Sequence, residues 1–304
     1  MAWIINVFAA YGAPLVVLAV FCLVLFGCDD KFRGPFYRLM QMSIVIDLLC
    51  YFNTWGDKIL NTPEFAKILH PLYLKSKWFF IIHTFCGHLF FHMQSGCFLI
   101  LCLFRYSVLK SQNAMSNWQK YYPLAFLLLL ALSAIITIPF ALINGLDVIS
   151  FDETTGEPHR DVSGWKTFVL FMYLESLTYL VVTAYIWHRT TLAVSFLLPA
   201  ETATTKKFNC QMTKILLCDL LVHFCVLGWD ILTHTRLVPL EFRMLTLFGV
   251  SDLMSLSRPV ILLFMDSHLK KKLASWRNTI KQAFLFIVVS LPDTSSTYEV
   301  NFVH

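Results

Sequence analysis

Residues Trp78–Lys110 read WFFIIHTFCGHLFFHMQSGCFLILCLFRYSVLK. The run opens on aromatic residues and carries no Lys, Arg, Asp or Glu before Arg105. It is long enough to cross a hydrocarbon core of about 30 Å, which takes ~20 helical residues. A plain lipid anchor has no use for polar groups, yet this stretch holds His83, His88, His92, Gln94 and Ser95. Polar side chains inside a membrane helix face other helices or a cavity. The stretch is therefore read as a central helix with partners on several sides.

The rest of the chain fits that reading. It has 304 residues, 57% hydrophobic, 15% aromatic and 14% charged, with a mean hydropathy of +0.64. A soluble domain carries roughly 25% charged residues. The long apolar blocks point to an all-α, polytopic membrane protein, with a seven-transmembrane helical bundle as the best count. The spans are expected at Trp3–Phe26, Phe36–Trp55, Trp78–Lys110, Tyr122–Ile143, Trp165–Trp187, Ile215–His234 and Glu241–Met265. Residues 1–265 form the transmembrane domain in this scheme, and 266–304 the tail. No basic residue precedes the first block, which argues for a span rather than a cleaved leader. Asp57–Lys77, with Pro63 and Pro71, reads as a longer loop.

Loop charge sets the expected orientation. The connection after the third span holds Arg105, Lys110 and Lys120 with no acid. The connection after the fifth holds Arg189, Lys206, Lys207 and Lys214 against Glu201. The start of the tail holds Lys270, Lys271, Lys272, Arg277 and Lys281 against Asp266. The loop Asn144–Gly164, in contrast, is acidic. The positive-inside rule places the C-terminus in the cytoplasm and the N-terminus outside. Lys58, Lys67, Lys75 and Lys77 are on the outer side in this scheme and run against the rule. Leu269, Leu273, Trp276 and Ile280 recur at helical spacing among the basic residues. They predict a short amphipathic cytoplasmic helix over about 267–282, suited to an anionic leaflet; membrane lipids are its expected partner. The net charge of +5 lies at helix ends, so nucleic acid is not an expected partner.

The polar residues within the spans carry the functional reading. Asp47, Asp219 and Asp252, with Pro259, form a candidate conformational polar core. Buried acids serve either as ion or proton sites or as contacts that pin helices together. His88 and His92 are four apart on one helical face. That spacing suits a metal, but no third ligand stands nearby, so no metal or other cofactor is expected. His83, His88, His92, Glu175, Trp229, Asp230 and His234 are the candidate ligand-binding residues of an outward-facing cavity. Each also has a plain reading, as a packing residue or a hydrogen-bond partner between helices. Nucleotide-binding, zinc-protease and hydrolase signatures are absent, and the chain is not expected to be an enzyme.

Phe104-Arg105-Tyr106, at the end of the third span, resembles the acid-Arg-aromatic triplet of rhodopsin-like G-protein-coupled receptors. Phe104 stands where those receptors have the acid. Ser257-Arg258-Pro259 stands where they have Asn-Pro. Asn144–Gly164 has no cysteine to pair with Cys86. FYRLMQMSIVIDLLCYFNTW (Phe36–Trp55) and CFLILCLFRYSVL (Cys97–Leu109) resemble more closely the second and third helices of nematode serpentine chemoreceptors, class gamma above all. The resemblance implies a receptor in a plasma or sensory-cilium membrane. It implies a small-molecule or peptide ligand outside and a heterotrimeric G protein inside. Arg105, Tyr106, Lys206, Lys207 and Arg258 are then the candidate coupling residues. The alternatives are a small-solute or ion-coupled transporter using the three buried acids, and a non-signalling membrane scaffold.

Overall fold

The computed structural model describes residues 2–60, 62–111, 113–144, 150–152, 158–159, 165–197, 203–234 and 240–276. Two compact units are distinguished, Met1–Ile261 and Leu262–His304. Among the described residues of the chain, the long helices are α1 (Ala2–Cys28), α2 (Pro35–Leu60), α4 (Lys77–Lys110), α5 (Ala114–Asn144), α6 (Trp165–Leu197), α7 (Ala203–His234) and α8 (Leu240–Met265). A shorter helix, α3, spans Pro63–Lys75. The chain is a multi-pass membrane helical bundle. Among the described residues, five helices pass on both length and apolar composition as spans: Ile5–Cys28, Trp78–Lys110, Ala114–Ile138, Cys210–Trp229 and Leu245–Met265. In α2, Arg38, Gln41, Asp47, Asn53, Asp57 and Lys58 dilute the apolar content.

The 34-residue helix α4 is the hub of the first unit. It packs against α2, α5 and α6, and more lightly against α7. Its middle is buried on nearly every side, Met93 through Phe98 included. A helix surrounded by others has no lipid face to keep purely apolar, which is why it tolerates His92, Gln94 and Ser95. α5 is the opposite case. Leu124, Leu127, Leu128, Leu132 and Ile135 are exposed on it, as a lipid-facing helix requires. Helix α8 reaches α1, α2, α4 and α7 through side chains.

The segment read as a loop at Asp57–Lys77 is mostly helical. α2 continues to Leu60, and α3 follows almost at once. Thr62 is extended at the N-cap and Pro63 opens the helix, a position where its missing N–H costs nothing. Thr62 Oγ1 donates to the Lys58 carbonyl at 3.0 Å. The acidic loop contributes a two-residue antiparallel ladder, β1 (Ser150–Phe151) with β2 (Pro158–His159). Phe151 is buried with Leu60, Ala66 and Phe80, so this loop is fastened to α3 and α4.

Helix ends also shift. α5 begins at Ala114 and α6 runs on to Leu197, beyond the spans expected from hydropathy. Hydropathy marks the apolar stretch, whereas backbone hydrogen bonding continues past it into water. In the second unit, residues 267–276 are helical. Asp266 caps them, its Oδ1 accepting from His268 N at 2.8 Å and Leu269 N at 3.2 Å. The expected surface helix thus has a defined start, and its part after residue 276 lies outside the described residues.

Two glycines set how closely helices approach. A Cβ on Gly12 of α1 would overlap the Tyr51 hydroxyl of α2, and one on Gly56 of α2 would overlap Nε2 of His83. Overpacking of this kind costs ~1–3 kcal/mol. Gly12→Ala is expected to lower the unfolding midpoint of the purified protein in detergent. Tyr51→Phe added to it is expected to recover part of the loss, because the colliding atom is the hydroxyl. Equal midpoints for wild type and Gly12→Ala would remove this contact from the account of α1–α2 packing.

Candidate functional site

The sequence places a polar stripe along α2: Asp47, Tyr51, Thr54 and Lys58, at intervals of four, three and four. Such spacing keeps all four on one helical face. That face meets α8, which offers Ser251, Asp252, Ser255 and Arg258. Two ion-pair centres result, about 16 Å of helix apart at 1.5 Å per residue along α2.

The first centre joins three helices. Lys58 Nζ donates to Asp252 Oδ1 at 2.6 Å and Oδ2 at 2.8 Å. Tyr11 of α1 donates its hydroxyl to Asp252 Oδ2 at 2.5 Å. Lys58 is 2% exposed. Its ammonium lies 4.5 Å from the Phe8 ring centre, 4.9 Å from that of Trp55 and 5.1 Å from that of Tyr51. Aromatic faces stabilise a desolvated cation. The sequence reading puts Lys58 in a loop, with Lys67, Lys75 and Lys77. The structure corrects that, because α2 continues past Trp55 and turns this residue into the bundle.

The second centre is a guanidinium between two carboxylates. Arg258 Nη1 donates to Asp47 Oδ2 at 2.5 Å, and its Nε reaches Asp219 Oδ2 at 3.5 Å. All three residues are buried. Gln94 of α4 donates to Asp47 Oδ1 at 3.0 Å and to Ser255 Oγ at 3.1 Å. Helices α2, α4, α7 and α8 thus meet at one polar knot. Arginine suits this role because its planar fork presents donors in several directions at once. Arg258, a candidate coupling residue, is buried at this knot, where its charge is matched. Pro259 follows it and has no N–H for the Ser255 carbonyl one turn back.

The candidate ligand residues are distributed between several helix interfaces. His83 bridges α4 to α2: its Nε2 donates to the Asn53 carbonyl at 2.9 Å, and Asn53 Nδ2 donates to the His83 carbonyl at 3.3 Å. His92 Nδ1 pairs with Glu175 Oε1 of α6, so these two candidates do meet. His88 lies one turn from His92 and is partly buried. Trp229 donates its indole N–H to Thr246 Oγ1 of α8 at 2.9 Å. The side chains of Asp230, His234, Lys206 and Lys207 lie outside the described residues. His223 of α7 lies one turn from Asp219. It stacks on Phe98 with ring centres 4.6 Å apart and donates Nδ1–H to the Asp219 carbonyl at 2.9 Å.

At the other end of α4, Arg105 is buried, and Tyr106 has the Lys110 ammonium 4.9 Å from its ring centre. Phe104, in the position of the missing acid, packs against Phe36 and Trp118 at ring-centre distances of 6.3 and 5.7 Å. The Trp118 indole donates to Ser107 Oγ at 2.7 Å. An aromatic contact between α2, α4 and α5 occupies the place of an intrahelical ion pair.

Removing Arg258 strands two buried carboxylates. Losing one partner of a buried pair costs about 3–5 kcal/mol. Arg258→Leu is expected to collapse the yield of monodisperse protein in detergent. Restoring neutrality with Asp47→Asn and Asp219→Asn in the same chain is expected to recover most of it. An Arg258→Leu protein as stable as wild type would show that the bridge contributes nothing to the bundle.

Comparison with known proteins agrees with this architecture. Residues 5–273 match the model of the Srg family chemoreceptor. The chain is 23% identical over 278 residues to serpentine receptor class gamma-47 of Caenorhabditis elegans, covering 88% of this chain and 89% of that protein. It is 30% identical over 131 residues to serpentine receptor class gamma-53 of the same organism, covering 42% of this chain and 43% of that relative's length. This match across most of the sequence shows that the chain belongs to the Srg family of serpentine chemoreceptors, a non-enzymatic family.

Proposed function

We propose that the chain is a seven-helix chemoreceptor of a plasma or sensory-cilium membrane, with its N-terminus outside and its C-terminus in the cytoplasm. The long helices α1, α2 and α4–α8 are its seven spans. It binds a small extracellular ligand, and a heterotrimeric G protein reads its cytoplasmic face. The observation that carries this reading is the bridge from Arg258 to Asp47 and Asp219, which ties α2, α7 and α8 by charge. A polar contact of this kind has discrete alternatives: made, broken, or made to one acid only. It suits a bundle that changes state by moving α7 and α8.

The ligand acts by population shift, since only a molecule that binds the two arrangements unequally moves the balance. The His92–Glu175 pair and His88, with Trp229, Asp230 and His234, are the proposed ligand contacts. His83 holds α2 beside them. Tyr106, Lys206 and Lys207 are the proposed coupling contacts, with Arg105 behind them. The helix starting after Asp266 lies along the inner leaflet in this scheme. A transporter would need its acids open to the solute, whereas Asp47, Asp219 and Asp252 are engaged by Arg258 and Lys58.

The test is expression in cultured cells with a G-protein activation readout and a library of small metabolites. Arg258→Lys is the informative variant, because a point charge cannot span both carboxylates. A loss of about 1–2 kcal/mol raises the active-to-resting ratio roughly 5- to 30-fold, seen as higher basal signalling. A surface-expressed wild type that answers no compound, with an Arg258→Lys variant at the same basal level, would remove the signalling reading.

A further inference from the structure

Helix α3 carries apolar surface that the bundle does not use. Its inner side is fastened: Ala66 is buried with Leu60, Phe80 and Phe151, and Leu69 packs against that group. Phe65, Ile68 and Leu72 are exposed, Ile68 at 70%. Spacings of three and four put them on one stripe. At ~100° per residue, the stripe lies about a quarter-turn from the side that Ala66 and Leu69 bury. Lys67 and Lys75, also exposed, leave the helix on the side roughly opposite that buried one. Leu74, at the helix end, is exposed but off the stripe.

Position decides what covers this stripe. α3 ends at Lys75, and the stretch of α4 that is long and apolar enough to cross a membrane begins at Trp78. Only Ser76 and Lys77 lie between, so α3 is held at the level where α4 enters the bilayer. The first turn of that stretch is apolar and exposed as well, with Trp78, Phe79 and Ile82. Tryptophan is the residue favoured at the headgroup level. An apolar stripe beside cationic side chains is the pattern of a helix lying in the interface plane. We propose that α3 is an in-plane membrane helix whose partner is phospholipid itself. Phe65, Ile68 and Leu72 enter the boundary between headgroups and acyl chains, and the long stems of Lys67 and Lys75 carry their charges to the phosphates. Anchored this way, α3 holds Phe151, and with it the β1–β2 ladder, at the membrane face.

Site-specific photocrosslinking tests this placement. The full chain is reconstituted in phosphatidylcholine nanodiscs, with Ile68, Leu72 or Lys67 replaced singly by p-benzoylphenylalanine. All three side chains are exposed, so the replacement leaves the packed side of α3 intact. Leu128 of α5, exposed among the apolar residues of that helix, is replaced in the same way to set the value for full lipid contact. After irradiation, mass spectrometry counts lipid adducts and locates them on the acyl chain or the headgroup. Acyl-chain adducts at 68 and 72 are expected to exceed those at 67 by roughly tenfold, since the apolar face of an interfacial helix sits ~5–10 Å into the boundary. Adducts at 67 are expected on the headgroup. Acyl-chain adducts at 68 and 72 no more frequent than at 67, while Leu128 labels fully, would overturn the proposal. Crosslinks from 68 to a second copy of the chain in place of lipid would overturn it as well.

Discussion

Everything in the bundle is arranged around the cost of taking the Arg258 guanidinium out of water. Burying a lone ion costs several kcal/mol even after the protein relaxes, and the low dielectric that imposes this cost also strengthens each pairing. Asp47 and Asp219 answer from two different helices, so the charge cannot be satisfied until α2, α7 and α8 stand together. Gln94 extends the requirement to α4, because it donates to Asp47 and to Ser255. In hydrocarbon, apolar helix faces gain little by leaving lipid for one another. Charge and hydrogen bonding then supply the specificity that hydrophobic burial supplies in water. This is how side chains of α8 hold it to α1, α2, α4 and α7.

The second centre follows the same logic with a weaker grip. Lys58 is a point charge on a flexible stem, and it needs Phe8, Tyr51 and Trp55 around it as well as Asp252. Tyr11 ties the carboxylate to α1, and the α1–α2 approach that permits this runs through Gly12. Packing and electrostatics are therefore linked: a side chain at Gly12 presses on Tyr51, which flanks Lys58, which holds Asp252. The two centres share α2 and α8, about six residues apart on α8, so a rotation of that helix disturbs both at once.

The helices were legible because apolar length is a one-dimensional property, and α4 was legible as central from its polar content. The +4, +3, +4 stripe of Asp47, Tyr51, Thr54 and Lys58 was also visible in principle. Lys58 was missed because hydropathy ended α2 at Trp55 and left the lysine in a loop. The partners of each acid were not legible, since which helix faces which is set by three-dimensional packing. Arg258 illustrates the same limit. Its sequence neighbourhood near the end of a span resembles a coupling surface, and only the positions of Asp47 and Asp219 draw it inward. The candidate ligand residues separated for a related reason: spacing on a helix shows which side chains share a face, and says nothing of which neighbouring helix that face meets.

The substitution at Phe104 now has a physical counterpart. Where an acid would hold Arg105 within its own helix, Phe104 instead packs against Phe36 and Trp118, joining α4 to α2 and α5. That contact is apolar and does not oppose a charge. An electrostatic restraint exists elsewhere, between helices, at Arg258. The two arrangements differ in what must move to release them. A restraint within one helix yields to a side-chain rotation. A restraint between α2, α7 and α8 links the positions of three helices, so a shift of any one of them strains it. In this chain the interhelical charge contacts at this knot converge on α8, because Arg258 meets acids of both α2 and α7.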